Sequence, residues 1–139
     1  MNLSAIRFLK VDGEIMTEQS FNGMDINLAI DDVKEMKVEG NAPHRAKVDF
    51  TYMVDYRPNM AKLHLKGYVV MNGEKEEIGQ ICSKWQKEKR LERKLTEDLT
   101  NLINFNAEVN GVLVCKALNL MPPLLSARLE VTEDIKPRK

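Results

Sequence analysis

Three stretches of this chain alternate apolar and polar residues with a period of two, and that pattern constrains the fold more than any other feature. Residues 24–30 place Met24, Ile26, Leu28 and Ile30 against Asp25, Asn27 and Ala29. Residues 46–56 place Ala46, Val48, Phe50, Tyr52, Val54 and Tyr56 against Lys47, Asp49, Thr51, Met53 and Asp55. Residues 61–71 place Ala61, Leu63, Leu65, Gly67, Val69 and Met71 against Lys62, His64, Lys66, Tyr68 and Val70. Successive side chains of a strand point to opposite faces, so each run is a strand with one apolar face. Gly40-Asn41-Ala42-Pro43, Arg57-Pro58-Asn59 and Asn72-Gly73 punctuate the runs. Short turns between alternating runs predict an antiparallel meander. Residues 3–11 are apolar on both faces and read as a further strand, closed by a turn at Asp12-Gly13.

A sheet with one apolar face needs a covering layer. Ile78, Ile81, Cys82 and Trp85 stand at i, i+3, i+4 and i+7, a helical stripe. Glu74, Glu76 and Glu77 precede it and suit the positive end of a helix. In a second helical pattern Leu95, Leu99, Leu102, Ile103, Val109, Val112 and Leu113 line one side, and Asn110-Gly111 is expected to interrupt it. Pro122 and Pro123 must end it. Leu125, Ala127, Leu129 and Val131 alternate again, as a short last strand would, and the tail over 131–139 reads as frayed. The expected fold is α+β: a four-stranded antiparallel sheet covered on one face by two helices, with a short C-terminal strand. The 139 residues suit a single domain over 1–139, long enough to bury a core without metal or disulfide.

The chemistry-bearing residues are few. His44 falls in a turn and His64 on the polar side of a strand, neither at ligand spacing from Cys or Asp, so no metal is expected. Cys82 and Cys115 lie on apolar stripes and read as buried thiols. No nucleophile elbow, phosphate loop, dinucleotide fingerprint or zinc-protease motif is present. The acidic pairs Asp31-Asp32 and Glu76-Glu77 read as solvated. An enzyme is therefore not expected, and no cofactor. Equal numbers of basic and acidic residues, 21 each, argue against a general nucleic-acid binder. No apolar run reaches the roughly 18 residues of a membrane span, so membrane insertion is not expected and a cytoplasmic location is the default. The basic stretch Lys84, Lys87, Lys89, Arg90, Arg93 and Lys94 is read as a solvated helix face, with Glu88 and Glu92 supplying i,i+4 pairs. Among eight methionines, Met53 falls on a polar face, where a flexible, polarisable side chain serves a binding surface.

The order of elements, with Leu102-Ile103-Asn104-Phe105, Val112-Leu113-Val114 and then Leu118-Asn119-Leu120-Met121-Pro122-Pro123-Leu124-Leu125, resembles the SecB-like protein-export chaperones. The resemblance runs from about residue 3 to residue 131, and archaeal-type and toxin–antitoxin-associated members look closer than the bacterial export protein. It implies an ATP-independent holdase for unfolded or extended apolar client segments. It also implies a homo-oligomer, a tetramer built as a dimer of dimers. On that resemblance Leu118, Leu120, Met121, Pro122 and Leu124 wall a client groove, to which Met53 is added. Leu102, Val109, Val112 and Leu113 pack against the sheet or a partner subunit. Ile135-Lys136-Pro137-Arg138-Lys139 are unlike the acidic tail of the bacterial protein, and the outer sheet face is expected to mix Asp25, Asp31, Asp49 and Asp55 with Lys47, Lys62 and Lys66. A general or client-dedicated chaperone is implied rather than one docked to an export motor. The alternative is a carrier of a small apolar ligand or lipid, with helices folded over the sheet around a closed pocket.

Overall fold

The computed structural model describes residues 2–17, 23–37, 40, 44–58 and 60–118, with the side chains of residues 112, 114, 116 and 117 left aside. Four long strands, β1 (Asn2–Ile15), β2 (Gly23–Met36), β3 (His44–Arg57) and β4 (Ala61–Gly73), precede two helices, α1 (Lys75–Glu88) and α2 (Arg93–Leu118). All pairings are antiparallel and the strand order is β1-β4-β3-β2, so β1 and β2 are the edges. The expected α+β architecture of a four-stranded sheet and two helices is observed. The expected last strand over 125–131 lies outside the described residues.

Two strands depart from plain alternation, each for one reason. On β1, the inward residues step Leu3, Ile6, Phe8, Val11, Gly13 and Ile15, opposite Met71, Val69, Gly67, Leu65, Leu63 and Ala61. The two three-residue steps coincide with bulges between Leu3 and Ala5 and between Phe8 and Lys10. A bulge inserts one unpaired residue and restarts the alternation. The strand that looks apolar on both faces is thus a one-faced strand with two bulges. No turn forms at Asp12-Gly13, which pairs with His64 and Leu63, because β4 continues to offer partners down to Ala61. On β2, a bulge between Ile30 and Asp32 carries Val33 to the inner face and extends the strand to Met36. Thr51 donates a hydrogen bond to the Asp31 carboxylate, and the Val33 amide donates to Asp32 Oδ1 at 2.9 Å.

The helices divide the inner face between them. α1 packs on β2, β3 and β4, and α2 chiefly on β1 and β4. Ile78, Cys82 and Trp85 of α1 join Ile30, Val33, Val48, Phe50, Val69 and Met71 in one cluster, with Leu95, Leu99 and Ile103 of α2. Ala107 and Cys115 of α2 join Tyr52, Val54, Tyr56, Leu63 and Leu65 in a second. α1 ends at Lys89, which turns left-handed (φ 54°) and donates its amide to Trp85 O at 2.8 Å.

α2 corrects two expectations. It runs unbroken through Asn110 and Gly111, and the Asn110 side-chain Nδ2 donates to Asn106 O at 2.8 Å. Its inward stripe is Leu95, Leu99, Ile103, Ala107, Gly111 and Cys115, a step of four ending in small residues. Val109 and Leu113 do not share that side. With Phe105 they stand on the opposite one, 55%, 68% and 66% exposed. Small residues let the second half of the helix sit close to the sheet, and the large apolar side chains point away from it.

Candidate functional site: a sheet edge and a two-faced helix

β2 is an edge strand, and only its second half lies under α1, through Ile30 and Val33. In its first half, Met24, Ile26 and Leu28 alternate inward beside Tyr52, Val54 and Tyr56 of β3 and remain only half-buried. Their pairing with β3 from Gly23 to Ile30 has no bulge, so this half of the edge is regular. The opposite edge, β1, is broken by two bulges, a device that discourages strand addition. An edge strand with no further neighbour among the described residues, beside half-buried apolar side chains, can take an extended apolar peptide.

Beneath this face the core holds an unusual polar set. The Tyr56 hydroxyl and Cys115 Sγ share a hydrogen bond at 3.3 Å. Burial pushes the Tyr52 phenol up to about 12, with Glu108 and Cys115 adding to the effect. Burial raises the Tyr56 phenol as well, assisted by its bond to Cys115. The Tyr52 hydroxyl is buried and meets no hydrogen-bond partner among the described residues. On the outer face His64 is lowered, first by desolvation and then by Lys10 and Lys66. Burial raises the Cys82 thiol, with Glu35 contributing.

The expected site residues fall in different places. Leu118 packs against the second core cluster, on the inner face. Met53 stands on the outer face between Asn27 and His64, so the two do not share a surface. Leu120, Met121, Pro122 and Leu124 lie outside the described residues, as does the Val112 side chain. Leu102 packs against the first cluster. Val109 and Leu113 are brought together with Phe105 on the outward side of α2. Sequence reasoning missed Phe105, although its spacing to Val109 and Leu113 (i, i+4, i+8) marks a second stripe. It read Met24, Ile26 and Leu28 as the apolar face of a strand and did not single them out as a binding surface.

Among the described residues no group of three or more His, Cys, Asp or Glu side chains could hold a metal ion. A cleft of about 400 Å³ between α1 and α2 has Ile81, Leu91 and Leu95 at its base and Lys84, Lys94 and Asp98 among its charged lining. No helix of the described residues is long and apolar enough to cross a membrane.

This arrangement, an antiparallel β1-β4-β3-β2 sheet backed by a short and a long helix, is the SecB-like α+β fold. Among solved structures, the chain is similar to the Mycobacterium tuberculosis SecB-like chaperone Rv1957, in complex with a ChAD peptide from the Rv1956 HigA1 antitoxin. The TM-score is 0.56 and the identity 10%, over 93% of this chain and 87% of that one. No protein-family model matches the sequence, and no curated protein does.

Proposed function

We propose that the protein is an ATP-independent holdase that binds extended apolar segments of unfolded clients in the cytoplasm and keeps them from aggregating. The observation that carries this reading is the regular β2 edge, which has no further strand beside it among the described residues, next to half-buried Met24, Ile26 and Leu28. A client strand laid there gains main-chain hydrogen bonds along Gly23–Ile30 and pockets for alternate side chains. Burial of its apolar surface contributes about 25 cal/mol per Å². No bond is made or broken, and the fold is that of a chaperone solved with a peptide.

The same reading includes self-association. α2 is apolar on two opposite sides, inward through Leu99, Ile103 and Ala107 and outward through Phe105, Val109 and Leu113. A helix apolar on both sides belongs between two layers, and the described chain supplies one. A second copy supplies the other, and pairing of pairs gives the tetramer.

The test is dilution of a denatured protein into buffer with equimolar chaperone and no ATP, following turbidity. Suppression is expected, and Ile26→Lys, on the half-buried face, should reduce it in a sample that still unfolds cooperatively. Turbidity that rises as in buffer alone, from a folded sample, refutes the holdase. A lipid recovered by extraction from such a sample would favour the carrier.

A further inference from the structure

We infer that the corner between α1 and α2 is a second binding surface, one that docks an acidic polypeptide segment. The chain has zero formal net charge, yet residues 84–94 hold six bases and two acids, leaving 15 bases and 19 acids elsewhere. The expected i,i+4 pairing does not neutralise this stretch. α1 stops at Glu88 and Lys89 turns left-handed, so Glu88 and Glu92 do not share a helical face. Lys94 pairs with Asp98 at 3.3 Å. Lys87, Lys89, Arg90 and Arg93 make no ion pair among the described residues.

Local helix stability does not explain these positions either. The first turn of α2 carries Arg93 and Lys94 and no acid, which is unfavourable at the positive end of a helix. Arg90 Nε is shielded from solvent and has no acceptor among the described residues. Lys89 lies 5.8 Å over the Trp85 ring, which orders one cation at the turn. The corner is rich in donors and poor in acceptors.

Two features select the partner. A single-stranded nucleic acid stacks on exposed aromatic rings, but Trp85, the one aromatic here, is 1% exposed. Nor does the chain carry the overall basic excess of a nucleic-acid binder. Lys87, Lys89 and Arg93 are all exposed and are spread along the end of one helix and the start of the next. That spread suits carboxylates repeated along a peptide better than one small anion.

The test uses the full chain and a fluorescein-labelled octaglutamate peptide, with anisotropy read at low and high salt. Binding at low salt is expected, screened at high salt. The triple variant Lys87→Gln, Lys89→Gln, Arg93→Gln should weaken it at least about tenfold, losing three charge contacts, while Lys→Arg replacements at 87 and 89 retain it. Client protection should be unchanged in the triple variant, which separates this surface from the β2 edge. The inference is overturned if the peptide does not bind at low salt, or if the triple variant binds equally well. It is also overturned if an octathymidylate binds as tightly, or if client protection is lost together with peptide binding.

Discussion

Phe8 on β1 and Phe50 on β3 meet edge to face, ring centroids 5.6 Å apart at 88°, although their strands do not pair. Both are in register with Gly67 of the intervening β4, which lets the β1 backbone come close. A Cβ at Gly67 would stand 2.1 Å from Arg7 O, a backbone atom that cannot swing aside. The bulge that follows Phe8 fixes that approach. Gly67→Ala should therefore cost about 1–3 kcal/mol, the usual range for overpacking. Urea unfolding of the variant checks it, and an unchanged midpoint would mean that β1 can withdraw.

The buried phenols make stability fall in alkali. Tyr52 has its phenol raised from 10.0 to about 12 in the folded chain, chiefly by burial, and Tyr56 is raised in the same direction. An unfolded tyrosine loses its proton near pH 10 while the folded one keeps it, so the unfolded state binds fewer protons above that pH. Their contribution is complete below about pH 10 and is lost as pH rises towards the folded values. Denaturant midpoints should be flat with respect to these groups near neutrality and drop above pH 10, and Tyr52→Phe should shrink the drop.

Much of the sheet was legible because alternation is a local property. The inward residues of β3 and β4 can be read directly from their period of two. The bulges were not read, although they leave three-residue steps, Leu3 to Ile6, Phe8 to Val11 and Ile30 to Val33, because such steps mimic a strand apolar on both faces. Asp12-Gly13 misled because turn chemistry is weighed locally, whereas β4 supplied partners beyond it. On α2, large apolar residues outweigh Ala107, Gly111 and Cys115 in any periodicity count, so Val109 and Leu113 read as sharing one side with Leu95, Leu99 and Ile103. The half-open face of Met24, Ile26 and Leu28 was not legible, because coverage depends on where the two helices land.

On the proposed self-association, the outward stripe of α2 should set the state of assembly. Phe105→Glu with Leu113→Glu places charge on two residues that are 66% and 68% exposed in the chain, so folding of the chain should be little affected. In an interface the same carboxylates would be desolvated without partners, which costs several kcal/mol. Light scattering should give a multiple of the 15.9 kDa chain mass for the wild type and a smaller species for the double variant. Equal masses with retained helicity would place the interface elsewhere.

The bulge on β2 predicts that two neighbouring single-residue deletions differ sharply. Asp31 is the extra residue: Ile30 opposes Phe50, Asp32 opposes Asp49 and Val33 opposes Val48. Removing Asp31 leaves those pairs intact, restores plain alternation and loses the hydrogen bond from Thr51. That variant should stay folded at a cost of about 1–3 kcal/mol, the range for a bond that leaves a hydroxyl unpaired. Removing Ala29 instead shifts Ile30 outward opposite Thr51 and Asp31 inward opposite Phe50, into the cluster around Trp85. A carboxyl group among those side chains is buried without a partner, and the alternative, re-forming the bulge elsewhere, strains the edge. The Ala29 deletion should lose the cooperative unfolding transition that the Asp31 deletion keeps. Urea titrations followed by Trp85 fluorescence distinguish the two. Equal losses would mean that register on this edge is set by the turn to β3 and not by the bulge.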